Sequence, residues 1–552
     1  MSHDHHIPTA EHKLRMEPSE RLARPFQRFA QMSSAGGLVL LAMTIVAMVW
    51  ANSRFAESYE RVFHDTRLAI AVEHYPHGTL HEEEPNGHGD EPDTTINHAD
   101  EPVVEHASRH TGQILPASQG GHDEPPTVIE VPEGHSPAAE LGHDGHASPD
   151  KTYFFMGHGL AHWINDLLMA VFFLVVGLEI KREILVGELA SPRRAALPVF
   201  AALGGMIAPA LIFTAFNWGN KDTMSGWGVP MATDIAFAVG IMSMLGKKVP
   251  NSLKVFLLSL AIADDLGALV VIAVFYTESP KFEYLGYAGS LVALLLALNV
   301  LRCRWITLYM LIGIPLWYCV FMSGVHATIA GVLLAMTIPA HARVDAVNFS
   351  YSTRRALEIF DNAEDDPNAS VTESSIRRAA VFAMMKNAKY VIPPLHRMET
   401  VLHPWAAFFI IPVFALANAG VPVHGGVGEA ISGSVSMGVI CGLVIGKPLG
   451  ITIASLIACK LGVAALPRGV SLRHIIGAGM LGGIGFTMAI FIANLAYKND
   501  PVNLEHAKLA ILTGSSIAAV AGALILATCK SQEEPEPDTL GPVVGEYADK
   551  HS

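Results

Sequence analysis

Two adjacent carboxylates, Asp264 and Asp265, lie in the middle of an apolar run from Leu253 to Tyr276. A run of this length predicts a helix that crosses the roughly 30 Å hydrocarbon core of a bilayer. An acid at the bilayer centre costs about 2.5–3.5 kcal/mol on insertion scales, and adjacent ionised acids also repel each other. Because intramembrane acids usually serve function, the pair predicts a site for a cation and a proton rather than a structural contact.

Two other apolar runs carry signs of an interrupted helix. Thr233 and Asp234 follow Pro230 in the fourth run, and the eleventh run holds five glycines between Gly477 and Thr487. Such features indicate broken helices whose free backbone ends line a cavity. One interrupted span in each half of the chain indicates a transporter built from inverted repeats, although glycines alone also fit a close helix crossing.

Lys447 lies near the middle of the tenth apolar run. An unpaired ammonium there would be costly or would lose its proton, so we expect a partner carboxylate, and the aspartate pair is the best candidate. The sequence leaves open whether this contact is a structural clamp or carries a proton.

The composition indicates a polytopic membrane protein. The 552 residues are 51% hydrophobic and 16% charged, with a mean hydropathy of +0.36. The net charge of −14 arises mainly in the acidic segments 73–150 and 532–551, which argues against nucleic acid as a partner. The chain has no Gly-x-x-x-x-Gly-Lys-Ser/Thr loop for ATP, so we predict a secondary transporter without a cofactor rather than an enzyme.

Apolar runs of near-span length predict an all-α protein with about twelve transmembrane helices. They lie at about 34–52, 158–179, 195–216, 229–245, 252–276, 284–301, 306–321, 324–339, 402–419, 435–459, 472–497 and 505–528. Basic residues concentrate in alternate connections, so the positive-inside rule places both termini in the cytoplasm.

The segments outside the spans differ in character. We predict a cytoplasmic segment at 1–33, a cytoplasmic loop at 340–400 and an acidic cytoplasmic tail at 530–552. Within the loop, the stretch 375–386 has the spacing of a helix that lies along the membrane surface. In the outer connection, the β-prone stretches 67–72 and 152–156 predict a short hairpin. The insert between them, at 73–150, is dense in His, Asp, Glu, Pro and Gly, a composition that predicts disorder.

Taken together, several motifs resemble the NhaA-type Na⁺/H⁺ antiporters over about residues 34–529. The matching stretches are Thr233-Asp234, Ala263-Asp-Asp-Leu-Gly267, Gly446-Lys-Pro-Leu-Gly450, Gly482-Gly-Ile-Gly-Phe-Thr-Met488, Trp163-Ile-Asn-Asp166, Val176-Gly-Leu-Glu-Ile-Lys-Arg-Glu183, Ser323-Gly-Val-His-Ala-Thr328 and Leu402-His-Pro-Trp405. The resemblance implies an electrogenic, pH-activated exchanger of cytoplasmic Na⁺ or Li⁺ for external H⁺ by alternating access. It also implies a bacterial inner-membrane location and a homodimer joined through the periplasmic hairpin.

The resemblance further implies roles for single residues. Asp265 would be the principal cation and proton ligand, with Asp264 beside it and paired with Lys447. The other implied positions are Thr233 and Asp234, which balance charge at the helix crossing, Asp166, which lines the cavity, and Glu179, Arg182, Glu183, His326, Glu399 and His403, which sense pH. His326 fits a hydrogen-bonded core histidine equally well. Thr400 replaces a histidine of the family pattern, so the family's pH set point is not carried over.

Two rival functions remain at this stage. The histidines of the outer insert suggest a divalent-metal transporter or sensor, although no intramembrane His/Asp cluster accompanies them. A passive cation channel would need a ring of ligands that a single site does not suggest.

Overall fold

The computed structural model describes residues 35–74, 152–277, 280–342, 344–363, 374–422 and 427–529. The predicted segments 1–33 and 530–552, and all but the edge of the insert 73–150, lie outside the described residues. The chain divides into two compact units, one of Met1–Leu68 with His158–Ser552 and one of Ala69–Gly157. The first unit contains every helix described below.

The first unit is built from helices. In chain order they are α1 (Ala35–Ala51), α2 (Ala56–Phe63), α3 (Leu160–Val186), α4 (Pro192–Phe216), α5 (Lys221–Met231), α6 (Ile235–Met244), α7 (Asn251–Phe275), α8 (Phe282–Val300), α9 (Ile306–Met322), α10 (Thr328–Thr337), α11 (Ala346–Asp361), α12 (Ser375–Val391), α13 (Pro394–Asn418), α14 (Val427–Ser432), α15 (Ser434–Lys460), α16 (Leu472–Gly482), α17 (Phe486–Ala496) and α18 (Pro501–Thr528).

Among the described residues, seven helices are long and apolar enough to cross a membrane, namely α3, α4, α7, α8, α13, α15 and α18. The number rises to ten if each of three bent pairs counts as one span. Two shorter apolar helices, α9 and α10, coincide with predicted spans. The fold is therefore that of a multi-pass membrane protein, while the count of twelve spans stays a prediction.

The two predicted interruptions are present. The axis bends by 41° between α5 and α6 and by 46° between α16 and α17. Asp234 starts α6 as its N-cap, because its side chain accepts a hydrogen bond from the Phe237 amide at 3.0 Å. A further bend of 120° separates α1 from α2, which the apolar pattern does not predict.

Close packing of α15 against α4 positions Lys447. A Cβ on Gly450 of α15 would lie 2.1 Å from the Gly204 carbonyl oxygen of α4, so the two backbones nearly touch. A widened π turn, Gly442–Gly446, immediately precedes Lys447 in α15. Because α4 packs on both α15 and α7, the lysine is directed toward the aspartate pair.

The connection predicted at 340–400 contains two helices, α11 and α12, and the start of α13. The stretch 375–386, predicted as helical, lies within α12. Asp345 and Ser374 cap the two new helices through side-chain hydrogen bonds to Asn348 N and Arg377 N. The helix of the span predicted at 402–419 begins earlier, at Pro394. The apolar pattern does not detect its first turns, because they are amphipathic.

Strands form at both β-prone stretches, as β1 (Arg67–His74) and β2 (Thr152–Gly159). They are longer than the predicted 67–72 and 152–156, and they pair in a two-stranded sheet. Their place on the outer face and their role between protomers stay predictions.

Candidate functional site

The breaks in the two interrupted spans lie against each other. The Asp234 amide donates to the Ile484 carbonyl at 2.7 Å, and Asp234 Oδ2 accepts from the Thr487 hydroxyl at 2.6 Å and from the Thr487 amide at 3.2 Å. The side chain of Asp234 is 2% exposed. A carboxylate at the N-terminus of α17 satisfies free amide groups and faces the positive end of that half-helix. The sequence-predicted pair Thr233-Asp234 therefore lies at the crossing.

Asp264 of α7 is held by Lys447 of α15. The Lys447 ammonium lies 2.6 Å from Asp264 Oδ2 and also donates to the Met231 carbonyl. The Thr233 hydroxyl lies 2.7 Å from Asp264 Oδ2 and 2.9 Å from the Gly482 carbonyl oxygen. Because a hydroxyl has one hydrogen, it donates to one of these two oxygens at a time. Lys447 is fully buried, so the contact that a buried ammonium requires is formed with Asp264.

Asp265 has a different environment from its neighbour. It is 2% exposed, and its Oδ1 accepts no hydrogen bond from the described residues. It lines a cavity of about 360 Å³ together with Asp234, Thr487, Glu179 and, at the other end, the 62% exposed His403. One carboxylate of the pair is thus reachable through the cavity, while the other is engaged by the lysine.

The mouth of the cavity brings together the ends of α3 and α13. His403 Nε2 lies 3.8 Å from Glu179 Oε1, and Arg182 contacts both Glu183, at 3.2 Å, and Glu399, at 3.0 Å. These five predicted pH-sensing residues form one cluster. We refer to it below as the mouth cluster.

Two predicted site residues lie elsewhere. Asp166 does not line this cavity, because it sits at the opposite end of α3 and pairs with His162 at 3.0 Å. His326 Nδ1 lies 3.1 Å from the Thr328 hydroxyl, and its ring stands edge-on to Phe491 at 5.2 Å. Asp166 therefore lies outside this cavity, its predicted role stays a prediction, and His326 is not part of the mouth cluster.

Some contacts near the site are not foreseen from sequence. Lys181 donates to the Met336 carbonyl at 2.7 Å and to that of Ile338, which ties α3 to the end of α10. The contact between His162 and Asp166 could have been predicted from the sequence, because the two residues have the i, i+4 spacing of neighbours on one helix face.

The charges of the site determine what it can bind. The pair Asp264–Lys447 is neutral as a unit, which leaves the Asp265 carboxylate to be balanced by a cation or a proton. Carboxylate oxygens suit hard cations such as Na⁺ and Li⁺. Within the described ranges, no group of three or more His, Cys, Asp and Glu side chains could hold a metal ion.

The chain matches the sequence model of the family described as Na⁺/H⁺ antiporter 1 over residues 27–83 and 145–526. It is 41% identical to "Na(+)/H(+) antiporter NhaA" of Oleidesulfovibrio alaskensis over 522 residues, which is 94% of this chain and 97% of the relative. Identity is 48% to proteins of the same name from Wolinella succinogenes and Helicobacter pylori, over 69% and 68% of this chain and 84% of each relative.

These matches agree with the observed crossing, the aspartate pair and the buried lysine, and they give no support to a divalent-metal transporter. The chain belongs to the NhaA-type family of Na⁺/H⁺ antiporters, multi-pass membrane transporters rather than catalytic enzymes.

Proposed function

We propose that this chain exchanges cytoplasmic Na⁺ or Li⁺ for external H⁺ by alternating access, with the two ions competing for Asp265 and Asp264. The observation that carries the proposal is the buried Asp265 carboxylate, whose Oδ1 is unpaired among the described residues and which faces the cavity. An ionised carboxylate binds the cation, and protonation of the same oxygens expels it.

Lys447 gives this competition a second titratable partner. While the lysine neutralises Asp264, only Asp265 is available; when a cation binds, Asp264 can join as a ligand if Lys447 releases it. We propose exchange of two protons for one Na⁺, which makes transport electrogenic and drivable by the membrane potential. Thr233 and Asp234 would balance the charge of the half-helix ends while the crossing moves.

We further propose twelve spans from inverted repeats, cytoplasmic termini and a bacterial inner-membrane location, as the basic connections indicate. The outer sheet of β1 and β2 would join two protomers. The mouth cluster would set the pH of activation, because its ion pairs depend on protonation of carboxylates and imidazoles.

Everted membrane vesicles test the proposal directly. Adding Na⁺ or Li⁺ to vesicles with an acid interior should alkalinise the lumen as protons leave through the wild-type chain. Asp265→Asn should abolish this response while the protein remains inserted, because the amide keeps the shape and loses the charge. Asp222→Asn is the matched control, since that carboxylate is exposed at the start of α5.

Near-normal exchange in Asp265→Asn would refute the assignment of the site. A response of the wild-type chain to Zn²⁺ but not to Na⁺ or Li⁺ would instead favour the divalent-metal alternative.

A further inference from the structure

Three asparagines from three different helices form a continuous chain of amide hydrogen bonds. Asn418 Nδ2 donates to Asn165 Oδ1 at 2.8 Å, and Asn494 Nδ2 donates to Asn418 Oδ1 at 2.8 Å. Asn418 Nδ2 also donates to the Phe414 carbonyl at 3.0 Å, which fixes the orientation of the amide because a carbonyl only accepts. Asn418 is 4% exposed and uses both of its amide hydrogens and its oxygen.

These three hydrogen-bonded asparagines lie on the far side of the ion site from the cavity. Asn165 precedes Glu179 on α3 by fourteen residues, and Asn418 follows His403 on α13 by fifteen, distances of roughly 21 and 22 Å along a helix. Asn494 follows Thr487 on α17 by seven residues, or roughly 10 Å. The cavity reaches Asp265 from the mouth, and the asparagines join the same helices beyond it.

An aromatic layer separates the amide chain from the cavity. Phe491 is buried, and its ring centroid lies 5.7 Å from that of Phe173 and 6.3 Å from that of Phe414. Each of the three helices therefore contributes one phenylalanine and, farther from the cavity, one asparagine. This layer and the row of amides therefore join the three helices at the end away from the cavity.

The two sides of the amide chain belong to different groups of helices. α17 begins at the crossing, where Thr487 binds Asp234. α3 is joined instead to α10, since a Cβ on Gly331 would lie 2.2 Å from the Ala170 carbonyl oxygen and Lys181 caps the end of α10. The Asn494–Asn418 bond thus connects α17, which forms part of the crossing, to helices that the crossing does not contain.

We propose that the Asn165–Asn418–Asn494 chain is the outer latch of the transport cycle. It holds α17 against α13 and α3 while the site faces the cavity, and its Asn494–Asn418 bond breaks when the site opens to the other side. The inference rests on the proposed exchange by alternating access. The asparagines act as positioning residues, because none of them contacts Asp264 or Asp265.

The test measures the half-saturating Na⁺ concentration from each face, by ²²Na⁺ exchange in everted and right-side-out vesicles. Asn494→Ala removes the donor to Asn418 and weakens the closed outer face. The apparent affinity should then fall on the cavity side and rise on the outer side, each by about two- to fivefold, because apparent affinity scales with the population of the competent state.

Asn418→Ala is the second variant, since it removes the acceptor of the same Asn494–Asn418 bond and should give the same pair of opposite shifts. Asn299→Ala is the matched control. This asparagine also donates a hydrogen bond to a backbone carbonyl of another helix, that of Thr337 at 2.9 Å, but it takes no part in the Asn165–Asn418–Asn494 hydrogen bonds. A general loss of packing would change both faces alike or lower the maximal rate alone.

Opposite shifts in either asparagine variant, absent from Asn299→Ala, support the latch. Parallel shifts or none in both variants overturn it. Absence of Na⁺ exchange in the wild-type chain would instead refute the proposed function, so the two failures are distinguishable.

Discussion

Asp264 and Asp265 are neighbours in sequence but not in chemistry. Asp264 Oδ2 has the Lys447 ammonium and the Thr233 hydroxyl within 2.7 Å, whereas Asp265 faces the cavity. Successive residues of a helix point about 100° apart, so one direction meets α15 and the other meets the cavity. A doubled aspartate in one helix thereby supplies one carboxylate that pairs with a lysine and one that faces the cavity.

Lys447→Ala should destabilise the protein strongly. Removing one partner of a buried ion pair costs about 3–5 kcal/mol, because the remaining carboxylate is left uncompensated. The apparent unfolding temperature in detergent should fall, and the half-saturating Na⁺ concentration at moderate pH should rise. Adding Asp264→Asn should restore part of the lost stability, because the buried charge is then removed as well.

Lys460→Ala is the control for this experiment, since Lys460 ends the same helix in an exposed position. A double variant no more stable than Lys447→Ala alone would contradict the proposed pairing energy.

At the level of elements, one end of α3 contacts the start of α13 in the mouth cluster. The proposed pH response depends on the ion pairs between these two helices. Glu179→Gln removes the carboxylate 3.8 Å from the His403 imidazole. We expect the pH of half-maximal exchange to move by about 0.1 to 0.7 unit, because partly exposed ion pairs contribute about 0.2–1 kcal/mol and one pKa unit equals 1.36 kcal/mol. The maximal rate should change less.

Exchange rates across a pH series in everted vesicles measure this effect, with His403→Ala as the second variant. His341→Ala serves as an exposed histidine outside the cluster. Unchanged profiles in both Glu179→Gln and His403→Ala would mean that these residues are only structural.

The sequence predicts the long apolar helices, because the length of an apolar run indicates a span. It also predicts that Lys447 contacts one of the paired aspartates, because a buried ammonium needs a carboxylate. It also predicts both interruptions, since Asp234 and the glycines near Gly483 are unfavourable in an uninterrupted span. Within 340–400 it predicts the helix at 375–386, now part of α12, but it misses α11, whose amphipathic pattern has no span length, and the start of α13 at Pro394. Hydropathy does not detect a helix that begins with charged turns.

Tertiary neighbours are the part that the sequence does not reveal. Asn165, Asn418 and Asn494 each lie near the end of an apolar run, where a single amide is ordinary. Only the packing of α3, α13 and α17 brings the three into a chain. The surroundings of His326 are likewise visible only in the packed structure, where its ring stands against Phe491 and its Nδ1 lies by the Thr328 hydroxyl.

On the scale of the whole molecule, one face has a cavity that reaches the ion site, and the opposite side is closed by aromatic and amide layers. This asymmetry is what one state of an alternating-access cycle requires. The aromatic and amide layers are drawn from α3, α13 and α17, and the same three helices line the cavity together with α1, α6 and α7. A rotation of α17 with the crossing could therefore open one side as it closes the other.

The outer insert at 73–150 belongs to the whole-molecule scale, because it interrupts the chain between β1 and β2. The family match leaves residues 84–144 uncovered, so most of the insert lies outside the shared transporter sequence. Closing a longer flexible loop costs little, about 0.6 kcal/mol per doubling of length, so the strands tolerate a long connection. Its histidines and acids are irregularly spaced in the sequence, a pattern that does not match a defined set of metal ligands.

Deletion of residues 78–148 should therefore leave Na⁺/H⁺ exchange and dimerisation intact and remove any binding of Zn²⁺ or Cu²⁺. Exchange is measured in everted vesicles, dimerisation by size-exclusion chromatography with light scattering, and metal binding by calorimetry on the purified proteins. A variant with the same segment replaced by a Gly/Ser linker of equal length controls for the change in loop length. If the deleted chain inserts normally but no longer exchanges Na⁺ for H⁺, while the linker variant also fails, the insert is part of the transport machinery.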